Sequence, residues 1–494
     1  MSLTAENNLI HVEGQSRVFN RIKVLAVLMV PLAMAVMAIS SISVALPTIE
    51  HSIGASDASV QWMLSGYALA FGMVLVAAGR IGDALGRGSV WITGMAIFSL
   101  GSLACGLATS PMMLNLARLV QGLGAGVYNP QTTGMIQQYF KGQARAKAFS
   151  IFGLVISASV TAGPLLTGLI IRAAGPDIGW RASFIWTFPL GILGAALATR
   201  WFPFETERRR ARARREGTAR ARRLDLDPLA VALLMTAVLC IMLPFILKTG
   251  VSFGLLAAAV PLLLLWVRWE RSYKARGRQP MVDLALFRHR SFTHATAISG
   301  TQFLGSTSVL ILAALFLQNG MGVSALATGL LGLPYAVVTA VTSLLTGRMA
   351  LAKGRTIVIA GLSCMTVGVV GAAVTARLIE TAHVRFWWLV LPLTLIGFGS
   401  GCMTGCNQTL SMSEIPSTEG GVAGGVKSTT ERMATAVGNA VTTAIFYSML
   451  STGWAAALTG SYAAITVFIV VSTALAVFDR VTLGRGVPPA PDAA

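Results

Sequence analysis

GRIGDALGRG, Gly79 to Gly88, is a short charged turn between two apolar runs, roughly 60–79 and 90–109. Each run is close to the ~20 residues an α-helix needs to cross a hydrocarbon core. A turn this short between runs that long predicts a pair of membrane helices. Gly79 and Gly86 allow tight turning and close helix approach. Asp83 is placed to accept from the N-terminus of the next helix or from a basic partner, and Arg87 to clamp neighbouring helix ends. Such a pair suits a conformational latch, which must hold in one state and break in another. The competing reading is a chance loop that contains Gly, Asp and Arg.

Outward from this turn the pattern repeats. Apolar runs lie at roughly 24–46, 60–79, 90–109, 112–136, 148–172, 183–203 and 228–247, then 251–268, 292–318, 325–347, 356–377, 386–409, 420–449 and 458–478, which makes fourteen. The 494 residues are 54% hydrophobic and 12% charged, with mean hydropathy +0.71, whereas a soluble domain is about a quarter charged. No polar stretch is long enough for a soluble domain. Met1 to Phe19 is polar and lacks the apolar core and small-residue cleavage site of a cleavable signal, so the first span is expected to stay in the membrane.

Lysine and arginine set the expected orientation. Counting from an inside N-terminus, the inside segments hold 31 of the 38 basic residues, among them the Arg200–Arg223 and Arg268–Arg290 clusters, Arg348 to Arg355 and Lys427. The outside loops hold Arg172, Arg181, Lys248, Arg377 and Arg385, and Arg118 and Arg432 lie within spans. This asymmetry places both termini in the cytoplasm and alternates correctly only with an even number of spans. It also accounts for the net charge of +19. The run Glu205–Arg223 has no aromatic residue and no nucleic-acid-binding fold around it. It reads as a cytoplasmic linker that fixes topology and meets anionic lipid headgroups.

Five cysteines sit inside apolar runs, and Cys402 and Cys406 are one helical turn apart. No His or carboxylate completes a metal site with them, so reduced core thiols are the expectation, with no metal and no cofactor. The five histidines fall in loops, at span ends or in the tail, so no histidine relay is visible. Neither H-E-x-x-H nor G-x-S-x-G occurs, nor a P-loop, so the chain reads neither as an intramembrane enzyme nor as ATP-driven.

Two ionisable residues fall inside spans. Arg118 lies about seven residues, ~10 Å, into the fourth. A buried guanidinium must be paired or face a water-filled cavity, which makes it a functional candidate, the competing reading being a structural anchor bonded to carbonyls. If the thirteenth span starts near Gly420, Glu431 lies about eleven residues, roughly 16 Å, along it and near mid-membrane. A later start would put Glu431 at the cytoplasmic interface instead. Gly163 and Pro164 remove side-chain bulk and a backbone donor, giving the fifth span a bend and a packing surface.

The turn at Gly79 resembles the signature loop of the major facilitator superfamily. Three stretches resemble its fourteen-helix drug:proton antiporter branch: LNLARLVQGLGAG (Leu114–Gly126), AGPLLTG (Ala162–Gly168) and GWRASFIWTFPLG (Gly179–Gly191). QPMVDLALFRHRSF (Gln279–Phe292) and FLQNGMGVSALATGLLGLP (Phe316–Pro334) are also family-like. The resemblance implies proton transfer for Arg118 and a seal against ion leak for Gly163, Pro164 and Gly168. It also implies a cavity between two six-helix halves, for which Trp62, Tyr67, Tyr128, Asn129, Gln302, Tyr335 and Asn407 are lining candidates, each of them alternatively packing or an interface anchor.

There are departures. Ala38 stands where the branch has an aspartate, Ser43 where it has an asparagine, and Thr167 interrupts the second glycine pair of the antiporter motif. One expected proton or cation site is therefore absent, and Glu431 is the candidate to replace it. The expected fold is an all-α integral membrane protein of two six-helix bundles, 1–203 and 291–480. Two inserted helices (228–268) lie between them, flanked by cytoplasmic linkers 204–227 and 269–290, with a tail at 481–494. The expected function is export of an amphiphilic drug, antibiotic or dye in exchange for protons, the alternative being an endogenous lipid or metabolite. The expected partners are that small molecule, protons and membrane lipid, with no nucleic acid, and the protein is expected to be a monomer in the cytoplasmic membrane.

Overall fold

The computed structural model describes residues 9–10, 18–205, 207–208, 227–247 and 250–484. The basic residues Arg209–Arg223, together with His11, Lys248 and Arg485, lie outside the described residues.

A two-stranded antiparallel ribbon, β1 (Leu9–Ile10) with β2 (Phe19–Asn20), leads into the first helix. Asn20 caps that helix, its side-chain oxygen accepting from the amides of Ile22 and Lys23. The helices are α1 (Arg21–Ser40), α2 (Ile42–Ile53), α3 (Asp57–Leu85), α4 (Arg87–Gly106), α5 (Pro111–Tyr139), α6 (Gly142–Ala174), α7 (Pro176–Ile185) and α8 (Thr187–Trp201). Then come α9 (Pro228–Leu247), α10 (Gly254–Ala275), α11 (Arg290–Ser306), α12 (Ser308–Leu315) and α13 (Ala325–Gly347). The last four are α14 (Ala350–Ala382), α15 (Val390–Ser411), α16 (Gly420–Ser448) and α17 (Trp454–Leu483).

Twelve helical stretches among the described residues are long and apolar enough to cross a membrane, so the helices suit a multi-pass membrane protein. Two other helices, α5 and α16, are 29 residues each but are not among those twelve. α5 carries Arg118, Gln121, Asn129, Gln131 and Gln137, and α16 carries Lys427, Glu431, Arg432 and Asn439. The residues that cost these helices their apolarity include the candidate site residues. Large apolar side chains such as Leu264, Leu391 and Val467 are exposed, as a lipid-facing surface requires.

Several expected spans are interrupted. The first breaks at Ser41, whose backbone closes on Met37, and continues to Ile53. Adjacent Ser40 and Ser41, with Pro47 downstream, supply the usual causes of a kink. The sixth breaks at Trp186, and the ninth at Thr307 before a π-turn over Phe316–Gly320. The fifth starts earlier than its apolar run, so Arg145 and Lys147 lie on the first turns of α6 rather than in a loop. Lys427 likewise lies inside α16 and is buried.

The chain forms two compact units. One contains Met1–Lys141, Ala162–Leu286 and Ile415–Thr429; the other contains Gly142–Thr161, Phe287–Glu414 and Thr430–Ala494. In the first, α5 packs between α3 and α4, and α9 packs on α10 and α3. Trp91, Phe98 and Tyr128 form an aromatic cluster between α4 and α5. In the second, α15 packs on α13 and α14, and α17 on α11 and α14, around Leu362, Met365, Ile396 and Ile465. Cys105, Cys240, Cys402 and Cys406 are buried and all five thiols are free.

Candidate functional site

The charged turn is a closed ion-pair cluster in the first unit. α3 ends at Leu85 and Gly86 turns the chain with φ +119°, a region that favours glycine. Arg87 therefore opens α4 one helical turn beyond Asp83, and their side chains pair at 2.6 Å, both buried. Asp83 also accepts from the amides of Gly421 and Val422, at 3.2 and 2.9 Å. These are free N–H groups at the N-terminus of α16, where a carboxylate is favoured by unsatisfied donors and by the helix dipole. Of the two partners expected for Asp83, the basic residue is present as Arg87, whereas the helix N-terminus is that of α16 rather than of the next helix in the chain. Arg87 bonds the carbonyls of Gly134 and Ser417 and the side chain of Gln138, so it clamps the end of α5 and the approach to α16. Gly79 makes the close approach possible, since a Cβ there would meet the Gly421 carbonyl. Glu207 completes the turn by accepting from the Ser89 amide in the first turn of α4.

Arg118 lies in α5, fully buried. Its Nε donates to the Met63 carbonyl at 3.1 Å, and one terminal nitrogen donates to the Ala38 carbonyl (3.0 Å) and to Gln121 Oε1 (2.8 Å). The break at Ser41 supplies the Ala38 acceptor: no amide of Ile42 closes on Ala38, so the Ala38 oxygen is released from the helix ladder. The guanidinium lies 4.6 Å from the Tyr67 ring centre. Its other terminal nitrogen has no partner, and among the described residues no carboxylate pairs with it.

Gly163 of α6 packs against this same break, where a Cβ would meet the hydroxyls of Ser40 and Ser41, and Gly168 faces Val44. Pro164 lies within α6 between them. Beside the break is a small recess, open on one side, whose polar lining is Ser41, Gln121, Thr167, Ser183 and Thr187.

Glu431 stands eleven residues after Gly420 in a helix that does begin there, and it is half-buried in the second unit. Of the lining candidates, Tyr67 and Tyr128 are fully buried, and their hydroxyls donate to the carbonyls of Ala35 and Pro31. Asn129 is buried and Trp62 half-buried. In the second unit Asn407 donates to the Ala295 carbonyl and to Ser299, Gln302 is buried with its carbonyl oxygen unpaired, and Tyr335 is half-buried. None of the seven lines the recess beside Arg118.

Two charged clusters went unread in the sequence. In the second unit, buried Arg355 and Asp479 pair at 2.8 Å, His294 sits 2.9 Å from the same carboxylate, and Arg355 also donates to Ser291. Arg355 belongs to an expected inside segment yet lies within α14, and Asp479 lies just past the expected end of the last span. No local pattern joins residues so far apart. In the first unit, α10 runs beyond the expected 268 to Ala275, so Glu270 is a buried helix residue that accepts from the Val282 amide. Buried Asp227 caps α9 and accepts from Trp269. Among the described residues no group of three or more His, Cys, Asp or Glu could hold a metal.

The chain is 29% identical over 414 residues to a probable actinorhodin transporter of Streptomyces coelicolor, covering 83% of this chain and 69% of the relative. It is 31% identical over 419 residues to multidrug resistance protein Stp of Mycobacterium tuberculosis, with 83% and 73% covered. It is 23% identical over 415 residues to riboflavin transporter RibZ of Clostridioides difficile, with 83% and 85% covered. Two solved structures share the fold alone. The human organic anion transporter MFSD10 has TM-score 0.65 at 16% identity, covering 92% of this chain and 99% of that one. The proton:xylose symporter XylE has TM-score 0.63 at 14% identity, with 94% and 96% covered. Residues 28–439 match the Major Facilitator Superfamily, and with the helical fold in agreement the chain belongs to that family of transporters.

Proposed function

We propose that this transporter is a secondary active exporter, carrying an amphiphilic drug, antibiotic or dye outward in exchange for protons by alternating access. The observation that carries this reading is the match, across about five-sixths of the chain, to relatives named for actinorhodin transport and multidrug resistance. In this reading Asp83 and Arg87, with Gly79 and Gly86, act as a latch that holds the start of α16 in one conformation. Arg118 and Glu431 serve proton coupling, and Gly163, Pro164 and Gly168 seal the break in the first span. The protein works as a monomer with fourteen spans and both termini in the cytoplasm. The bundles at 1–203 and 291–480 flank inserted helices at 228–268, and the aromatic and amide candidates line the cargo path. Arginine stays protonated throughout the physiological range, so the titrating group in this scheme is a carboxylate.

A second reading, export of an endogenous metabolite or lipid, is favoured by Ala38 in place of the branch's aspartate and by the riboflavin-transporting relative. One experiment addresses both. Purified protein in liposomes is loaded with a dye and given an imposed pH gradient, beside a drug-susceptibility panel with overexpression and deletion. Gradient-dependent dye efflux with raised drug tolerance is expected. Efflux indifferent to the gradient would remove proton coupling, and an unchanged panel would shift the cargo to a metabolite.

A further inference from the structure

We infer that the recess beside Arg118 is an anion subsite, built to take a monovalent anionic group such as a carboxylate. The inference rests on the export reading for its cargo but on geometry for its chemistry.

A buried guanidinium needs compensation, and a carboxylate is its usual partner. Arg87, in the same unit, has one in Asp83. Arg118 has only neutral acceptors, two backbone carbonyls and the Gln121 amide oxygen, and keeps one nitrogen unbonded. Three residues that touch it, Ala38, Gln121 and Phe184, also line the recess. The same walls carry the hydroxyls of Ser41 and Thr167, which are bonded to no other described residue and remain available as donors. The recess therefore carries two hydroxyls on its wall and abuts, through Ala38, Gln121 and Phe184, a buried positive charge that no carboxylate among the described residues matches. An incoming anion supplies that match. Ala38 decides the sign. It lines the recess and its carbonyl touches Arg118, so an acidic side chain here would put a carboxylate of the protein's own in the same space. With alanine there, the charge is left for the cargo.

Two sources of anion fit this chemistry, the carboxylate of an amphiphilic cargo and chloride. The test uses the full chain in nanodiscs, titrated with benzoate, chloride or tetraphenylphosphonium. Tryptophan fluorescence is the readout, because Trp186 lines the recess. Ala38→Asp should weaken benzoate binding about tenfold or more, as expected for losing a charge-assisted pair. The neutral control Ala38→Asn, of the same size, should change it less than about threefold. Arg118→Lys should retain part of the benzoate affinity and Arg118→Gln almost none, with thermal midpoints reporting that each variant is folded. Equal weakening by Asn and Asp, or no benzoate binding to the wild type, overturns the subsite.

Export of a carboxylated dye from liposomes separates the sources. A fall in Ala38→Asp supports cargo as the occupant. Competition by chloride with unchanged dye export supports a resident inorganic anion and overturns the cargo assignment. Benzoate binding without export of any dye leaves the subsite standing and removes the export reading. Export of cationic dye without benzoate binding does the reverse.

Discussion

Arg87 and Arg118 are two buried arginines in one unit with opposite electrostatic settings. Arg87 has a carboxylate partner, three further acceptors and a helix N-terminus sharing the same aspartate. Arg118 has neutral acceptors only and a nitrogen left over. The contrast separates two uses of a buried cation. A charge fully compensated by the protein fastens elements together, whereas one left uncompensated is ready for something that arrives.

The comparison can be broken most directly at the compensated end. Asp83→Asn and Arg87→Ala each strand a buried partner, a loss of about 3–5 kcal/mol to the latched conformation. Dye efflux should fall below about a tenth of wild type in both variants, with normal abundance in membrane fractions, if the cluster is a latch that the transport cycle requires. Efflux above half of wild type in both would show that the pair is structural decoration.

Next in size is Glu431→Gln, which mimics a permanently protonated carboxylate. It should abolish efflux driven by a pH gradient yet spare exchange between equal pools, which needs no net proton movement. Undiminished gradient-driven efflux would return coupling to the arginine or aspartate sites. Arg118→Lys should reduce efflux more mildly, since an ammonium keeps the charge but loses the fork that reaches Met63, Ala38 and Gln121 together. Gly79→Ala should lower the thermal midpoint by an amount equivalent to about 1–3 kcal/mol, because its methyl group would collide with the Gly421 carbonyl. The smallest effect on turnover is expected from neutralising the Arg208–Arg223 cluster, which should reduce insertion or abundance more than transport per molecule.

Sequence and structure agree where the physics is local. Asp83 and Arg87 are four residues apart across the junction of α3 and α4, so their pairing was legible from spacing. Arg118 was marked by its depth in an apolar run. The partner of Asp83 was not, because α16 begins more than three hundred residues away and only packing brings its amides to α3. The Arg355–Asp479 pair was missed for the same reason, and for another: a charge near a span end reads as topology, although the end of a helix can be buried. The break at Ser41 hid within a continuous apolar run, since hydropathy is blind to a released carbonyl. That carbonyl is what Arg118 uses.

The amides of Gly421 and Val422 carry a further consequence. The first turn of a helix normally leaves its N–H groups unbonded within the helix, and such protons trade readily with solvent. Here two of them are held by a carboxylate from α3, so their deuterium uptake reports whether Asp83 is engaged. A peptide spanning the start of α16 would act as an isotopic clock for opening of the cluster, readable in membranes without knowing the cargo. Asp83→Asn should make that clock run fast even when no substrate is present.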